Sequence, residues 1–281
     1  MNVREIKEIV RQYHLAISPR RMGQNFLVDP RALARIAAVV GAGQEDEVLE
    51  IGAGLGALTQ QLLQSGARLT AVEKDPRFVQ VLSDRFKGAG NLKIVKSDIL
   101  RLDLSEYAGG KHKSLLLIGN IPFSMTSPIL EFLLKHRHWI RRAVLTVQKE
   151  VAQRIVAQPG TKAYSSITLL VQVAFVPSIA FMIHPGAFYP QPEVTSAVLR
   201  LEPLSEPAVA PEEEEEVLKL VRLIFTHRRK TLLNALSIPR DDLSRQQLRQ
   251  CLEAAHIDPT RRPETLVLHE VVRLHRLLSP R

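Results

Sequence analysis

Cysteine is all but absent from this chain of 281 residues, Cys251 being the one example. A single thiol excludes an intramolecular disulfide and leaves no cysteine cluster for zinc, so neither staple stabilises the fold. Cys251 itself reads as an inert helical residue. Long apolar runs are missing as well: none approaches the roughly 18 residues that a membrane span needs, and no membrane association is expected. Charges at Arg4, Glu5, Lys7 and Glu8 interrupt the N-terminus before a secretory apolar core could form. The two glutamates among them argue against an acid-poor transit peptide, so a cytoplasmic location is expected. His112, His136 and His138 lack metal-ligand spacing with acidic partners and read as surface histidines, so no metal is expected. No repeat or low-complexity segment stands out.

What the chain does carry is positive charge. Its formal net charge is +9 and its isoelectric point is about 9.9. Lysines and arginines that neutralise phosphates release condensed counterions, which makes a polyanion a candidate partner. Charge alone decides nothing, because it also serves solubility. The 45% hydrophobic and 24% charged residues are ordinary globular proportions. The length suits one large domain and one small one.

From Asp46 onward short apolar runs alternate with helical periods, the mark of parallel strands joined by crossover helices. "EVLEIGAG" (Glu47 to Gly54) reads as strand and turn, followed by a helix from about Leu55 to Ser65. "RLTAVEKD" is a second strand, with Pro76 opening the next helix, and "LKIVKSDIL", "SLLLIGNIPF" and "RAVLTVQKE" follow as strands. The fold class is therefore α/β with a doubly wound sheet. "TLLVQVAFVPSIAFMI" and "SAVLRLEPL" supply further β-type runs. Before the sheet, Asp29 caps a helix whose first position is Pro30. After Leu204 the composition shifts to "SEPAVAP" and Glu212 to Glu216, beyond which only helical patterns remain. The expected division is 1–204 and 205–281, with "FTHRRKTLLNAL" along one helix and the glutamates as a solvated first turn.

Three features sit at the carboxyl ends of three successive strands. Gly52, Gly54 and Gly56 let backbone approach a ligand at a strand-to-helix turn. Their G-x-G-x-G spacing departs from the G-x-G-x-x-G dinucleotide fingerprint and argues against a nicotinamide. Glu73 lies 21 residues after Gly52, where an acid can accept from ribose hydroxyls. Asp98 can accept from an adenine amine, or cap a turn. Together they describe an adenosine-type ligand at the top of an open sheet.

The fourth strand ends in "GNIPF". An adenine exocyclic amine is a poor nucleophile because its lone pair is delocalised into the ring. Two acceptors, the Asn120 side-chain oxygen and the Ile121 carbonyl, could take its hydrogens and steer the lone pair toward a methyl donor. Pro122 stiffens the turn and adds no donor, while Phe123 can stack on the base. Phe188 offers a second stacking face or an ordinary core ring.

With these residues in view, the chain resembles the S-adenosylmethionine-dependent methyltransferases, and more closely the rRNA adenine dimethyltransferase family of the KsgA/RsmA type. The likeness runs from "RRMGQNFLVD" through "EIGAGLGALT", "VEKD", "SDIL", "GNIPF" and "VQKEVAQRI" to "FYPQPEVTSAV" and "FTHRRKTLLNAL". It implies a Rossmann-like methyltransferase domain with a small C-terminal all-helical domain that binds RNA. It further implies that Asn25 and Leu27 cover S-adenosyl-L-methionine, that Gly52 and Gly54 approach it, that Glu73 holds its ribose and Asp98 its adenine. Asn120 would lie between cofactor and target base. Ile121-Pro122-Phe123 stands where Leu-Pro-Tyr is more usual, a change that keeps the chemistry. Gln191-Pro192-Glu193 stands where a lysine is frequent, which weakens the expectation of RNA contacts there. Arg20, Arg21, Arg141, Arg142, Arg228, Arg229 and Lys230 are the candidate phosphate contacts. The function implied is dimethylation of two adjacent adenosines in the 3′-terminal hairpin of 16S rRNA, by a monomer acting on the immature 30S subunit during its biogenesis. The alternatives are a large-subunit (23S) relative of the macrolide-resistance type and a non-catalytic binding relative.

Overall fold

Residues 1–15, 25–110, 114–238 and 243–278 are described by the computed structural model. The strands are β1 (Phe26–Leu27), β2 (Glu47–Ile51), β3 (Arg68–Glu73), β4 (Leu92–Lys96), β5 (Leu115–Asn120), β6 (Ile140–Gln148), β7 (Phe175–Ile183), β8 (Phe188–Tyr189) and β9 (Ser196–Pro203). Seven of them form one sheet in the order β4-β3-β2-β5-β6-β9-β7, and β1 pairs with β8. Neighbours from β4 to β6 are parallel, whereas β9 runs antiparallel to β6. Parallel pairing brings the carboxyl ends of β2, β3, β4 and β5 to one edge, where an open α/β sheet binds ligands.

The helices are α1 (Val3–Gln12), α2 (Pro30–Val40), α3 (Ala57–Leu63), α4 (Pro76–Arg85), α5 (Thr126–Lys135), α6 (Lys149–Ile155), α7 (Ser166–Gln172), α8 (Glu214–Thr226), α9 (Leu232–Ser237), α10 (Arg245–Ala254) and α11 (Leu268–Leu278). Asp29 and Asp75 cap α2 and α4 through their carboxylates, each with proline in the first turn. Leu33, Ile36 and Val40 of α2 and Leu58 and Leu62 of α3 bury themselves against Val48, Leu69, Leu116 and Val144 of the sheet. None of the described helices is long and apolar enough to cross a membrane.

By packing the chain divides into Met1–Ala152 with Ser178–Pro203, and Gln153–Pro177 with Leu204–Arg281. The second unit thus contains a segment that the expected division at 204 leaves with the sheet. No shift in composition marks this segment. It joins the helical unit through the Tyr164 hydroxyl, which donates to Leu266 O at 2.7 Å, and the Gly160 N–H, which donates to Glu264 O at 2.7 Å.

Two expected elements are corrected. The first half of "TLLVQVAFVPSIAFMI" is helix α7: the Ser165 N–H donates to the Thr168 hydroxyl, closing a first turn that an apolar run alone does not reveal. "FTHRRKTLLNAL" is two helices. The chain leaves α8 at Thr226, the Lys230 N–H bonds back to His227 O at 2.8 Å, and Thr231 caps α9 in extended backbone. Of the glutamates, Glu214, Glu215 and Glu216 fill the first turn of α8, and Glu213 stands at its N-cap position.

Candidate active site

The glycine turn after β2 is held from both sides. Gly52, Gly54 and Gly56 all have left-handed φ, at 69°, 56° and 80°. A Cβ on Gly56 would run into the Phe86 ring, so only glycine fits there. In front, the Gly54 N–H donates to Glu73 Oε2 at 2.9 Å. Behind, Arg85 Nη1 donates to Leu55 O at 2.6 Å. Glu73 Oε1 accepts from the N–H groups of Lys74 and Asp75 at 2.7 and 2.9 Å. Burial pushes the Glu73 carboxyl up from its ordinary range, against the opposing pull of those three backbone donors.

Glu50, in the middle of an apolar strand, is 2% exposed. The Thr59 hydroxyl of α3 donates to its Oε2 at 2.6 Å. Desolvation pushes its carboxyl up to about 7, and the neighbouring Glu73 adds to the shift. Both acids thus take their hydrogen bonds from neutral donors.

At the end of β5, Gly119 packs so tightly that a Cβ would lie 2.8 Å from Ile51 O, which brings Asn120 up against the glycine turn. Asn120 Nδ2 donates to Asn25 O at 2.9 Å. An amide that faces a carbonyl must present its NH₂, so Oδ1 is left as an acceptor. Ile121 is buried, and Pro122 (φ −56°) turns the chain into the short 3₁₀ segment Phe123–Met125. Leu27 pairs with Phe188 in the β1–β8 ladder.

A cavity of about 610 Å³ collects these parts. Asn25, Leu27, Gly52, Gly54, Glu73, Asp98, Asn120, Ile121, Pro122, Phe123 and Phe188 all line it, with Glu50, Phe26, Phe78 and Ile99 as further walls. Its volume is that of a nucleoside-sized ligand site. Apolar walls, carboxylates and a glycine cradle suit an adenosine that carries a cation. Asp98 serves also as the cap expected of it: Oδ1 accepts from the Leu100 N–H at 3.1 Å, and Oδ2 pairs with Lys74 Nζ at 2.8 Å. That ammonium holds the Asp98 carboxyl below its usual range.

The candidate phosphate contacts divide. Arg141 and Arg142 stand at the opposite, amino-terminal end of β6 and are spent on ion pairs with Asp46 (2.9 Å) and Glu202 (2.9 Å), so neither belongs to the site. Arg228 Nη2 donates to Thr161 and Lys162 carbonyls at 3.3 and 2.7 Å, a scaffold role within the helical unit. Arg229 and Lys230 are exposed. Arg20 and Arg21, with Gly23 and Gln24 of the opening motif, lie outside the described residues. Sequence reasoning missed Glu50, Thr59, Arg85 and Gly119. An acid inside an apolar run was the one available signal among them.

A family model described as "Ribosomal RNA adenine dimethylase" matches residues 18–273. A relative from Geobacter metallireducens, "Ribosomal RNA small subunit methyltransferase A", is 42% identical over 262 residues, 92% of this chain and 94% of that one. Among solved structures, the 23S rRNA methyltransferase ErmE matches with a TM-score of 0.69 and 26% identity, covering 90% of this chain and 99% of that one. A dimethyladenosine transferase from Plasmodium falciparum shares the fold, with a TM-score of 0.73, 24% identity and 89% and 95% coverage. The sheet is that of the Rossmann-like methyltransferases.

Proposed function

The chain belongs to the ribosomal RNA adenine dimethylase family, whose cofactor is S-adenosyl-L-methionine, and on that premise we propose that it dimethylates two adjacent adenosines in the 3′-terminal hairpin of 16S rRNA. The observation that carries this reading is the single cavity shared by the glycine turn, Glu73 and the Asn120-Ile121-Pro122-Phe123 corner. The 42% identity to a small-subunit methyltransferase along nearly all of both chains, against 26% to a large-subunit enzyme, supports the small-subunit target.

The cofactor supplies an electrophilic methyl on a sulfonium. Glu73 Oε2, which accepts one protein N–H, takes the ribose; Asp98, at the next strand end, takes the adenine amine. Gly52 and Gly54 bring backbone to the cofactor, and Asn25 and Leu27 close over it. Glu73, whose hydrogen-bond partners are all neutral backbone donors, leaves its charge for the cavity, which favours a cationic ligand.

The target base stacks on Phe123, with Phe188 on its other side, a contact worth about 1 to 3 kcal/mol per base. Its amine donates to Asn120 Oδ1 and the Ile121 carbonyl. This fixes both hydrogens and points the lone pair at the methyl. No strong base would be required, because the proton on a methylated, ammonium-like nitrogen is acidic and can pass to water. Orientation and preorganised acceptors then supply most of the rate enhancement. The base must leave any stack to enter, and a hairpin loop makes that cheap. In this reading the chain works as a monomer in the cytoplasm on the immature 30S subunit, and residues 205–281 with Gln153–Pro177 hold RNA, Arg229 and Lys230 among the contacts.

The test is methyl transfer by the purified chain to unmodified small subunits, with the modified nucleotides mapped by mass spectrometry. Two methyl groups on each of two adjacent adenosines are expected. Methylation of large-subunit RNA, or cofactor binding without turnover on any rRNA, would overturn the reading.

A further inference from the structure

The two faces of α1 differ sharply. Its inner face is used up by docking: Ile6 is fully buried, and Ile9, Val10 and Tyr13 pack on Leu55, Phe78 and Val81. The Tyr13 hydroxyl adds a hydrogen bond to Asp84 at 2.9 Å. Arg4, Lys7 and Arg11 lie at i, i+3 and i+7 on the other side, one stripe of a 3.6-residue helix, and all three are exposed. They line a surface depression with Val3 and Glu8, the one acid in its lining, whose Oε1 lies 3.0 Å from Arg4 Nε.

The stripe leads to the active site. Lys7 Nζ sits 5.8 Å from the centroid of the Tyr189 ring. Tyr189 pairs with Phe26 and follows Phe188, and both phenylalanines line the cavity. The stripe spans about 10 Å at 1.5 Å per residue.

We infer that the outward face of α1 holds the sugar-phosphate backbone of the RNA strand that delivers the target base, with Arg4, Lys7 and Arg11 as phosphate contacts. The inference rests on the rRNA reading above. Three cations in line against one carboxylate suit a chain of regularly spaced anions, and the position beside the rim suits nucleotides flanking a base in the cavity. An anionic membrane is the other partner of basic amphipathic helices. That mode needs a free apolar face to insert, and the apolar face of α1 is covered by Leu55, Phe78 and Val81.

The experiment compares full-length wild type, the triple variant R4Q/K7Q/R11Q and Glu8→Gln. Affinity for a 3′-terminal small-subunit hairpin RNA is measured by fluorescence anisotropy from 50 to 300 mM salt, alongside cofactor affinity and Tm. Each lost phosphate contact lowers the log–log salt slope by about 0.7 for single strands, so the triple variant should lose about 2 from the slope and bind roughly ten-fold more weakly at low salt. Glu8→Gln should shift affinity the opposite way, about two-fold tighter. Cofactor affinity and Tm should not move, since all four side chains are exposed. An unchanged salt slope in the triple variant while wild type binds RNA would overturn the inference. So would a triple variant that loses binding to phosphatidylserine vesicles but keeps its RNA slope. Failure of wild type to bind the hairpin at all is distinguishable from both: it would sink the rRNA reading and this inference with it.

Discussion

Two buried acids of the sheet unit and two acids of the helical unit are held in opposite ways. Glu50 and Glu73 in the sheet unit are buried and take their hydrogen bonds from a hydroxyl and from backbone N–H groups. Glu270 and Glu213 in the helical unit are each clasped by an arginine, Arg261 at 2.7 Å and Arg276 at 2.8 Å. A carboxylate on neutral donors keeps its negative field for a ligand. One clasped by guanidinium has spent that field on the fold. The contrast separates acids that work from acids that hold, and it is open to attack from either side.

The largest effect is expected at the Asn120 corner, which lines the same cavity as the two working acids. Asn120→Ala removes the side-chain acceptor aimed at the amine, and kcat should fall by 10² to 10³, as when one preorganised hydrogen-bonding group is removed. Cofactor affinity should change far less. Single-turnover methyl transfer at saturating cofactor measures this, and full retained activity would refute the orienting role. The next effect belongs to Glu50. Between the unfolded value of 4.5 and the folded value of about 7, the folded chain keeps a proton that the unfolded chain has released. Stability should therefore fall as pH rises through that window, by roughly 3 kcal/mol at 1.36 kcal/mol per unit. Glu50→Gln should flatten that slope in urea titrations at pH 5 and pH 8 and be the more stable protein at pH 8. A slope equal to that of wild type would place the ionisation elsewhere.

Glu73→Ala should weaken cofactor binding by about 10- to 100-fold, since a charged hydrogen bond contributes roughly 1.5 to 3 kcal/mol, and calorimetry with the product cofactor reads it directly. Unchanged affinity would end the ribose assignment. Arg85 touches the glycine turn from behind, through Leu55 O. Arg85→Met should raise the cofactor KM about five-fold, near 1 kcal/mol, with kcat at saturation unchanged, and Arg85→Lys should restore part of it. A kcat loss without a KM change would show that the contact serves something other than the turn.

Much of this was legible in the sequence because it is local. Asp29-Pro30 and Asp75-Pro76 announce helix starts within two residues, and the run before Asn120 can only be a strand that stops at a proline. Glycine turn, Glu73, Asp98 and the Asn120 corner line one cavity because parallel strands carry their ends to one edge. What escaped is non-local. Glu50 looks like any acid in a strand until Thr59 is seen to reach it from α3, nine residues on. Arg85 finds Leu55 across 30 residues. Arg141 and Arg142 read as free cations because Asp46 and Glu202 lie far away in sequence. In α7 the apolar run carries no period, and its first turn is closed by a bond from the Ser165 N–H, outside the run, to the Thr168 hydroxyl.

The smallest effect tests the holding side. Arg276 is 59% exposed, and its bidentate pair with Glu213 ties α11 to the residue before α8. Exposed pairs contribute about 0 to 1 kcal/mol and are screened by salt. Arg276→Gln should lower Tm by no more than a few degrees in low salt, by less at 0.5 M, and leave cofactor affinity and kcat where they were. Scanning calorimetry at two salt concentrations, paired with the methyl-transfer assay, reads both halves. A loss of activity larger than the loss of stability would mean that an arginine-clasped acid also acts on the reaction, and the division between working and holding acids would fail at the helical unit.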